Sequence, residues 1–186
     1  MIDEKFALKL LKREGASDDI IKHSCLVSKL ALKIAKRILK KKKVSLDLKL
    51  VKIGGLLHDL GRTKTNSIHH GVEGAKVLRK LLKGGKTNFK NYKDKIFIKK
   101  LIRICERHIG AGIVKEEAVA LGLGKRNFLP QSIEEQIIAH ADNLAGVNEI
   151  FTIDEVVKKY KEKLGENHKA TQRIIELNRR INSLLE

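Results

Sequence analysis

Aromatic residues are scarce in this chain of 186 residues: they make up 4% of it, with two tyrosines, five phenylalanines and no tryptophan. So few rings argue against a protein that grips single-stranded nucleic acid mainly through stacking platforms. Cysteine is scarcer still, at Cys25 and Cys105. The two form no CxxC pair and no zinc-ligand spacing, so both are expected to be reduced thiols among apolar neighbours, with Cys105 one turn before His108. No apolar run approaches the roughly 20 residues that span a bilayer. The start Met1-Ile2-Asp3-Glu4-Lys5 has no signal-peptide pattern, and a cytoplasmic protein without membrane contact is expected. Nowhere do β-branched residues alternate long enough to make a strand, which leaves an all-α fold.

Acid is missing from one long stretch. Residues 29 to 103 carry 23 lysines and arginines against Asp47, Asp59, Glu73 and Asp94, so this stretch accounts for the net charge of +18. One block runs from Lys36 to Lys43, and a second runs through Lys83, Lys86, Lys90, Lys93, Lys95, Lys99, Lys100 and Arg103. A surface of this kind attracts polyanions and steers anionic substrates, RNA among them. A lysine-rich, aromatic-poor composition also serves as plain solvated surface in heat-adapted proteins.

The length suits one domain with its own core. Apolar spacing of three and four predicts about nine helices. The first covers about Asp3 to Arg13 and stops at Gly15, and Ser17 caps a long second helix. A third runs from about Leu46 to Asp59, where Leu60-Gly61 ends it. Further helices follow from about His70 to Leu82, Lys93 to His108 and Val114 to Leu121. Ser132 with Glu135, and Thr152 with Glu155, have the spacing of capping boxes for the next two. The last helices, about 152–186, are expected to pack on the core, about 17–146, or on a partner subunit.

Four of these apolar stripes are interrupted by polar residues. His23 is in line with Leu26, Val27, Leu30 and Ile34; His70 leads Gly74, Val77 and Leu78; His108 follows Leu101, Ile102 and Cys105; Asp142 shares a face with Ile138 and Ala145. A single histidine in such a place is more often a core residue bonded to a carbonyl than a ligand. A core that repeatedly buries imidazole and carboxylate needs a partner for them, because a lone buried carboxylate costs several kcal/mol or loses its charge. A divalent cation supplies that partner, and these donors suit Zn, Mn, Ni or Fe. His58 and Asp59 are adjacent, about 100° apart on a regular helix, and converge only if the helix stops there.

The segment Gly54-Gly55-Leu56-Leu57-His58-Asp59-Leu60-Gly61-Arg62 resembles the signature of the HD-domain superfamily of all-helical, metal-dependent phosphohydrolases. The ordered series His23, His58-Asp59, His70, His108 and Asp142 resembles its two-metal, HDIG-type branch. The stretch Ile68 to Leu78 looks like the HDIG pattern of His followed four residues later by Gly-Ala, which selects His70 over His69. The stretches Glu106 to Ile113 and Glu134 to Leu144 resemble a group of uncharacterised stand-alone archaeal HD proteins. The resemblance implies that His23, His58, Asp59 and Asp142 hold one ion and that Asp59, His70 and His108 hold a second, with Asp59 bridging. The implied cofactors are one or two divalent ions (Mn, Fe, Ni, Co, Zn or Mg).

Two such ions about 3.5–4 Å apart share a hydroxide and neutralise a phosphoryl group. Arg62, then Lys64, are the cations expected at the rim to meet a phosphate, beside the bridging Asp59. Arg107 is a weaker candidate, and His69 and His168 read as surface. The expected activity is hydrolysis of a phosphate mono- or diester of a nucleotide or related compound. The alternatives are a di-iron oxygenase on the same ligands and a non-catalytic, RNA-associated module.

Overall fold

The protein is described here by a computed structural model covering residues 2–84 and 91–186. Lys86 and Lys90 of the second basic block lie outside the described residues. Among those described, there are nine α-helices and no strand: α1 (Glu4–Arg13), α2 (Asp18–Lys41), α3 (Leu48–Leu57), α4 (His70–Lys83), α5 (Tyr92–Arg107), α6 (Lys115–Ala120), α7 (Ile133–Leu144), α8 (Ile153–Leu164) and α9 (Lys169–Leu185). A single 3₁₀ turn, Leu60–Thr63, follows α3. No described helix is long and apolar enough to cross a membrane.

Short polar side chains set the helix starts by satisfying otherwise orphaned N–H groups. Asp3, Ser17, Asp47 and Asn91 accept from the backbone three residues ahead and open α1, α2, α3 and α5. Thr152 and Glu155 form the expected reciprocal box at α8. At α7 only half of the expected box forms. Ser132 accepts from the Glu135 amide, but the Glu135 carboxylate turns to the Gln131 amide at 2.8 Å and to Arg103 and Arg107 at 2.8 and 3.1 Å. Two guanidiniums outbid a backbone N–H for a buried carboxylate.

The apolar faces of the helices meet in one core: Val27, Ala31 and Ile38 of α2, Val51 and Leu57 of α3, Ile98 and Leu101 of α5, and Ile137 and Ile138 of α7. From the C-terminal part, α9 adds Ile174, Leu177 and Ile181 to the same core. Glycine lets the backbones approach where the polar residues must meet. At Gly61 a Cβ would run into the His70 carbonyl and the Gly74 amide, and at Gly71 into the Cys105 carbonyl. The start of α4 is thereby seated on the 3₁₀ turn and on the end of α5. Gly61→Ala is expected to lose about 1–3 kcal/mol through overpacking against backbone that cannot yield. In a chain of this size that lowers Tm by roughly 3–10 °C. An unchanged melting curve would show that α4 shifts freely.

The helices also sort charge. His23 is in the second turn of α2 and Lys40–Lys41 close it; Lys49 opens α3 and His58 caps its end; His70 opens α4 and Lys83 closes it; Lys93 and Lys95 begin α5 and His108 caps its end. At a rise of 1.5 Å per residue, Lys41 lies about 27 Å along the axis from His23. The lysine-rich ends therefore point away from the buried histidines. The Lys block of α2 does not surround the mouth of the site.

Candidate metal centre

Each of the six polar residues is delivered by a helix end or a core-facing helix position. His58 is the last residue of α3 in helical geometry, and Asp59 (φ −94°, ψ 15°) leaves it. This break turns two neighbouring side chains towards one point. His70 is the first residue of α4, His108 caps α5, and α2 and α7 supply His23 and Asp142 from their packed faces.

Every imidazole is held in the same way. The Nδ1 of His58 donates to the Gly55 carbonyl at 2.7 Å, that of His70 to Ser67 at 2.8 Å and that of His108 to Cys105 at 2.8 Å. In all three the carbonyl belongs to the residue three places earlier. The Nδ1 of His23 donates to Gly146, from the loop after α7, at 2.9 Å. A carbonyl oxygen only accepts, so each Nδ1 carries a proton and each Nε2 is the ring nitrogen turned to the centre, the one that offers a lone pair to a metal ion. This is the arrangement by which backbone groups orient metal-binding histidines.

Those lone pairs converge. The Nε2 atoms of His70 and His108 are 3.0 Å apart and lie 3.2 and 3.3 Å from Asp59 Oδ1. The Nε2 atoms of His23 and His58 are 3.0 and 3.2 Å from Asp142 Oδ1, and each is 3.7 Å from Asp59 Oδ2. Asp59 Oδ1 is buried and accepts no hydrogen bond. Acceptors packed this closely require a cation among them, a proton or a metal ion. Three overlapping groups have ligating atoms within 4.8 Å of one another: His23, His58 and Asp59; His58, His108 and Asp142; and Asp59, His70 and His108. The donor set and its orphaned oxygen fit one or two divalent ions.

Protonation follows the same geometry. Burial disfavours the charged form of His58, but Asp142 and Asp59 outweigh it and raise its pKa to about 9. Burial would raise the pKa of Asp59 and Asp142, yet the charge on His58, joined at Asp142 by the bonds from His23 and His58, holds both below the usual carboxylate range. His108 is shifted the other way, burial keeping it neutral. Without metal, one proton at His58 thus bridges the carboxylates, while Asp59 Oδ1 accepts no hydrogen bond.

The HD domain family model matches residues 20–146 of this chain, a span that contains all six residues. The chain belongs to the HD-domain family. An uncharacterised protein of Methanocaldococcus jannaschii is 46% identical over 97% of both chains. Two proteins named tRNA (cytidine(56)-2'-O)-methyltransferase, from Picrophilus torridus and Thermoplasma volcanium, are 42% and 40% identical over 98% of this chain. The chain spans only about half of their length, 47% and 48%. The HD domain of the L. monocytogenes phosphodiesterase PgpH aligns over 97% of this chain and 99% of its own, with 17% identity and a TM-score of 0.47.

Around this HD-domain centre, the other polar candidates are distributed unevenly. Arg62 Nε donates to Asp59 Oδ2 at 2.5 Å, with its side chain 36% exposed, so the guanidinium stands between the centre and solvent. Lys64 lies on the same turn but pairs with Glu14 at 3.1 Å. Arg107 is taken up by Gln131 and Glu135. His69 precedes α4, half-buried near Gly122. His168 caps α9 by accepting from the Ala170 amide. His140 is buried, which lowers its pKa to about 4. The Cys105 thiol donates to the Leu57 carbonyl and is pushed far up by burial, so it stays neutral beside His108.

Two residues near the centre escaped the sequence reading. Asn143, beside Asp142, donates to the Gly110 carbonyl at 2.8 Å, and the Tyr160 hydroxyl lies 3.5 Å from its Oδ1. Burial raises the Tyr160 pKa to about 12, with Asp142 adding to the rise and Arg62 opposing it. The phenol therefore stands within electrostatic reach of both. Asn143 could have been sought as the neighbour of a ligand; Tyr160, on α8, has no sequence pattern that ties it to the site.

Proposed function

We propose that this HD-domain protein is a metal-dependent phosphohydrolase acting on a phosphate mono- or diester of a nucleotide or related compound. The observation that carries the reading is the convergence of four Nδ1-anchored imidazoles on two carboxylates, with the buried Asp59 Oδ1 left unpaired. In this reading His23, His58, Asp59 and Asp142 hold one divalent ion, Asp59, His70 and His108 hold a second, and Asp59 serves both. The ions, when bound, activate water and neutralise charge on the phosphoryl group. The chain's own part is to keep the donors dry, oriented and deprotonated. Arg62, tethered to Asp59 and open to solvent on its other side, meets the phosphate oxygens. Lys64 joins it by exchanging Glu14 for the substrate.

The two relatives named as tRNA methyltransferases, about half of whose length this chain matches, are the reason to include a tRNA among the substrates tested. The test is a panel of nucleotides, dinucleotides, a generic phosphodiester and a tRNA, assayed with Mn, Fe, Ni, Co, Zn and Mg, in air and in anoxia. The expected result is turnover in anoxia with release of phosphate or a phosphomonoester. Strict dependence on O₂ would make the protein an oxygenase. Metal binding without turnover of any member would leave a binding module.

A further inference from the structure

The lysines at the pole opposite the metal centre are placed against the interests of their own helices. Lys49 sits in the first turn of α3, and Lys93 and Lys95 in the first turn of α5. A helix N-terminus carries partial positive charge, so a cation there opposes helix formation. The matching ends of the basic segment are joined in space. Lys49 Nζ lies 5.1 Å over the Phe97 ring of α5, and α3 runs back along α2, with the Ser28 hydroxyl donating to the Lys52 carbonyl at 2.8 Å. The short connection 42–47 between α2 and α3, and the contact of Lys49 with Phe97, put the lysine-rich end of α2 and the starts of α3 and α5 at the same end of the bundle.

These charges are also uncompensated. Among the described residues Lys36, Lys40, Lys41, Lys43, Lys93 and Lys95 are exposed, and the lysines that do form ion pairs are others: Lys22, Lys52, Lys64, Lys76 and Lys161. The acids at these helix starts are already engaged: Asp47 caps α3, Glu134 accepts from the Asp47 amide at 3.1 Å, and Asp94 is bonded to Asn91. Beside Lys93 at the start of α5 stands Tyr92, with 77% of its surface exposed. In a chain so poor in aromatics, a ring standing free beside unpaired cations is the odd residue out.

We infer that this pole is a binding surface for a folded RNA, whose phosphates are met by the lysines while an unpaired base stacks on Tyr92. Phosphate contacts need cations free of acidic partners, and one stacked base needs one open ring. An anionic membrane would also attract the charge, but a helix lying on lipid needs an exposed apolar face. Here most of the apolar residues are buried in the core, among them Ile34, Ala35 and Ile38 of α2 and Ile98, Leu101 and Ile102 of α5, and the scattered Leu39 and Ile96, 36% and 37% exposed, make no continuous apolar face. The surface lies about 27 Å along α2 from the metal centre, so the inference stands apart from the hydrolase reading and is tested by binding alone.

The experiment measures binding of the full chain to a tRNA transcript, a blunt DNA duplex of equal phosphate number, and phosphatidylcholine vesicles with and without phosphatidylserine, from about 50 to 300 mM salt. The tRNA is expected to bind with a steep salt dependence and more tightly than the duplex. K36Q/K40Q/K41Q/K43Q should lower the salt slope by about three to four and weaken binding at least about tenfold. K115Q/K158Q/K163Q/K169Q, which removes the same charge elsewhere, should change it little. Y92A should abolish the preference for tRNA over duplex. K93Q/K95Q guards against misfolding, because it should weaken tRNA binding while leaving Tm unchanged or raised. Metal content serves as the check that the far pole is intact. Equal losses from both quadruple variants, or binding to phosphatidylserine vesicles without binding to tRNA, would overturn the inference.

Discussion

Asp59→Ala is expected to abolish metal binding at one ion position and weaken it at the other, with turnover falling roughly a thousandfold or more. The helical signal in circular dichroism should stay near that of the parent. The reasoning starts from what Asp59 touches. Its Oδ1 lies within 3.3 Å of His70 and His108, and its Oδ2 faces His23 and His58 at 3.7 Å and Arg62 at 2.5 Å. No apolar packing depends on it, and the core beneath is built from Leu57 and Leu60. Removing it leaves His58 and Arg62 with one fewer counter-charge and His70 with His108 without a carboxylate. Asp59→Asn, which keeps the shape and removes the charge, should lose metal almost as fully. Elemental analysis of both variants decides the matter: full metal content in either would remove Asp59 from the centre.

Proton release on metal binding is the second large effect. In the metal-free protein His58 has its pKa raised to about 9 by Asp142 and Asp59 against the opposing effect of burial. A folded pKa above the unfolded value of about 6.5 means stability that is fully present below about pH 6.5 and lost as pH rises through about 9, on the order of 3 kcal/mol. Asp59 and Asp142 act with the opposite sign. Their lowered values contribute above the usual carboxylate pKa and are lost as acid titrates them. Metal-free protein should therefore be most stable between about pH 4 and 6.5 and soften towards pH 9. A metal ion must displace the His58 proton, so its affinity should rise over the same upper range. Titration calorimetry in buffers of different ionisation enthalpy counts the proton, and melting curves with and without Mn show the divergence. A flat metal-free Tm from pH 6.5 to 9, with no proton released, would refute this account.

The centre was legible in the sequence for a physical reason: a buried imidazole or carboxylate interrupts a stripe that is otherwise apolar, and the interruption is visible in spacing alone. His70 was separable from His69 through the resemblance to the HDIG pattern, in which Gly-Ala follows the histidine four residues later. The turn at His58-Asp59 was legible because two adjacent side chains cannot converge on a continuing helix. What stayed hidden depends on residues far apart in the chain. The carbonyl that orients His23 belongs to Gly146, Lys64 is engaged by Glu14, and Glu135 leaves its capping box for Arg103 and Arg107. The basic segment could be counted, but its direction relative to the histidines emerges only once each helix is seen to carry its lysines at one end and its site residue at the other.

Three of the four rings are steered by carbonyls of the main chain three residues upstream, and this changes how the site responds to drift in sequence. The Nδ1 anchors of His58, His70 and His108 contain no second side chain, so replacements at Gly55, Ser67 or Cys105 reach those bonds only by displacing the backbone. A scan of single substitutions would thus miss the strongest constraint on ring orientation. An amide-to-ester exchange, which weakens a carbonyl as acceptor without altering any side chain, reaches it directly.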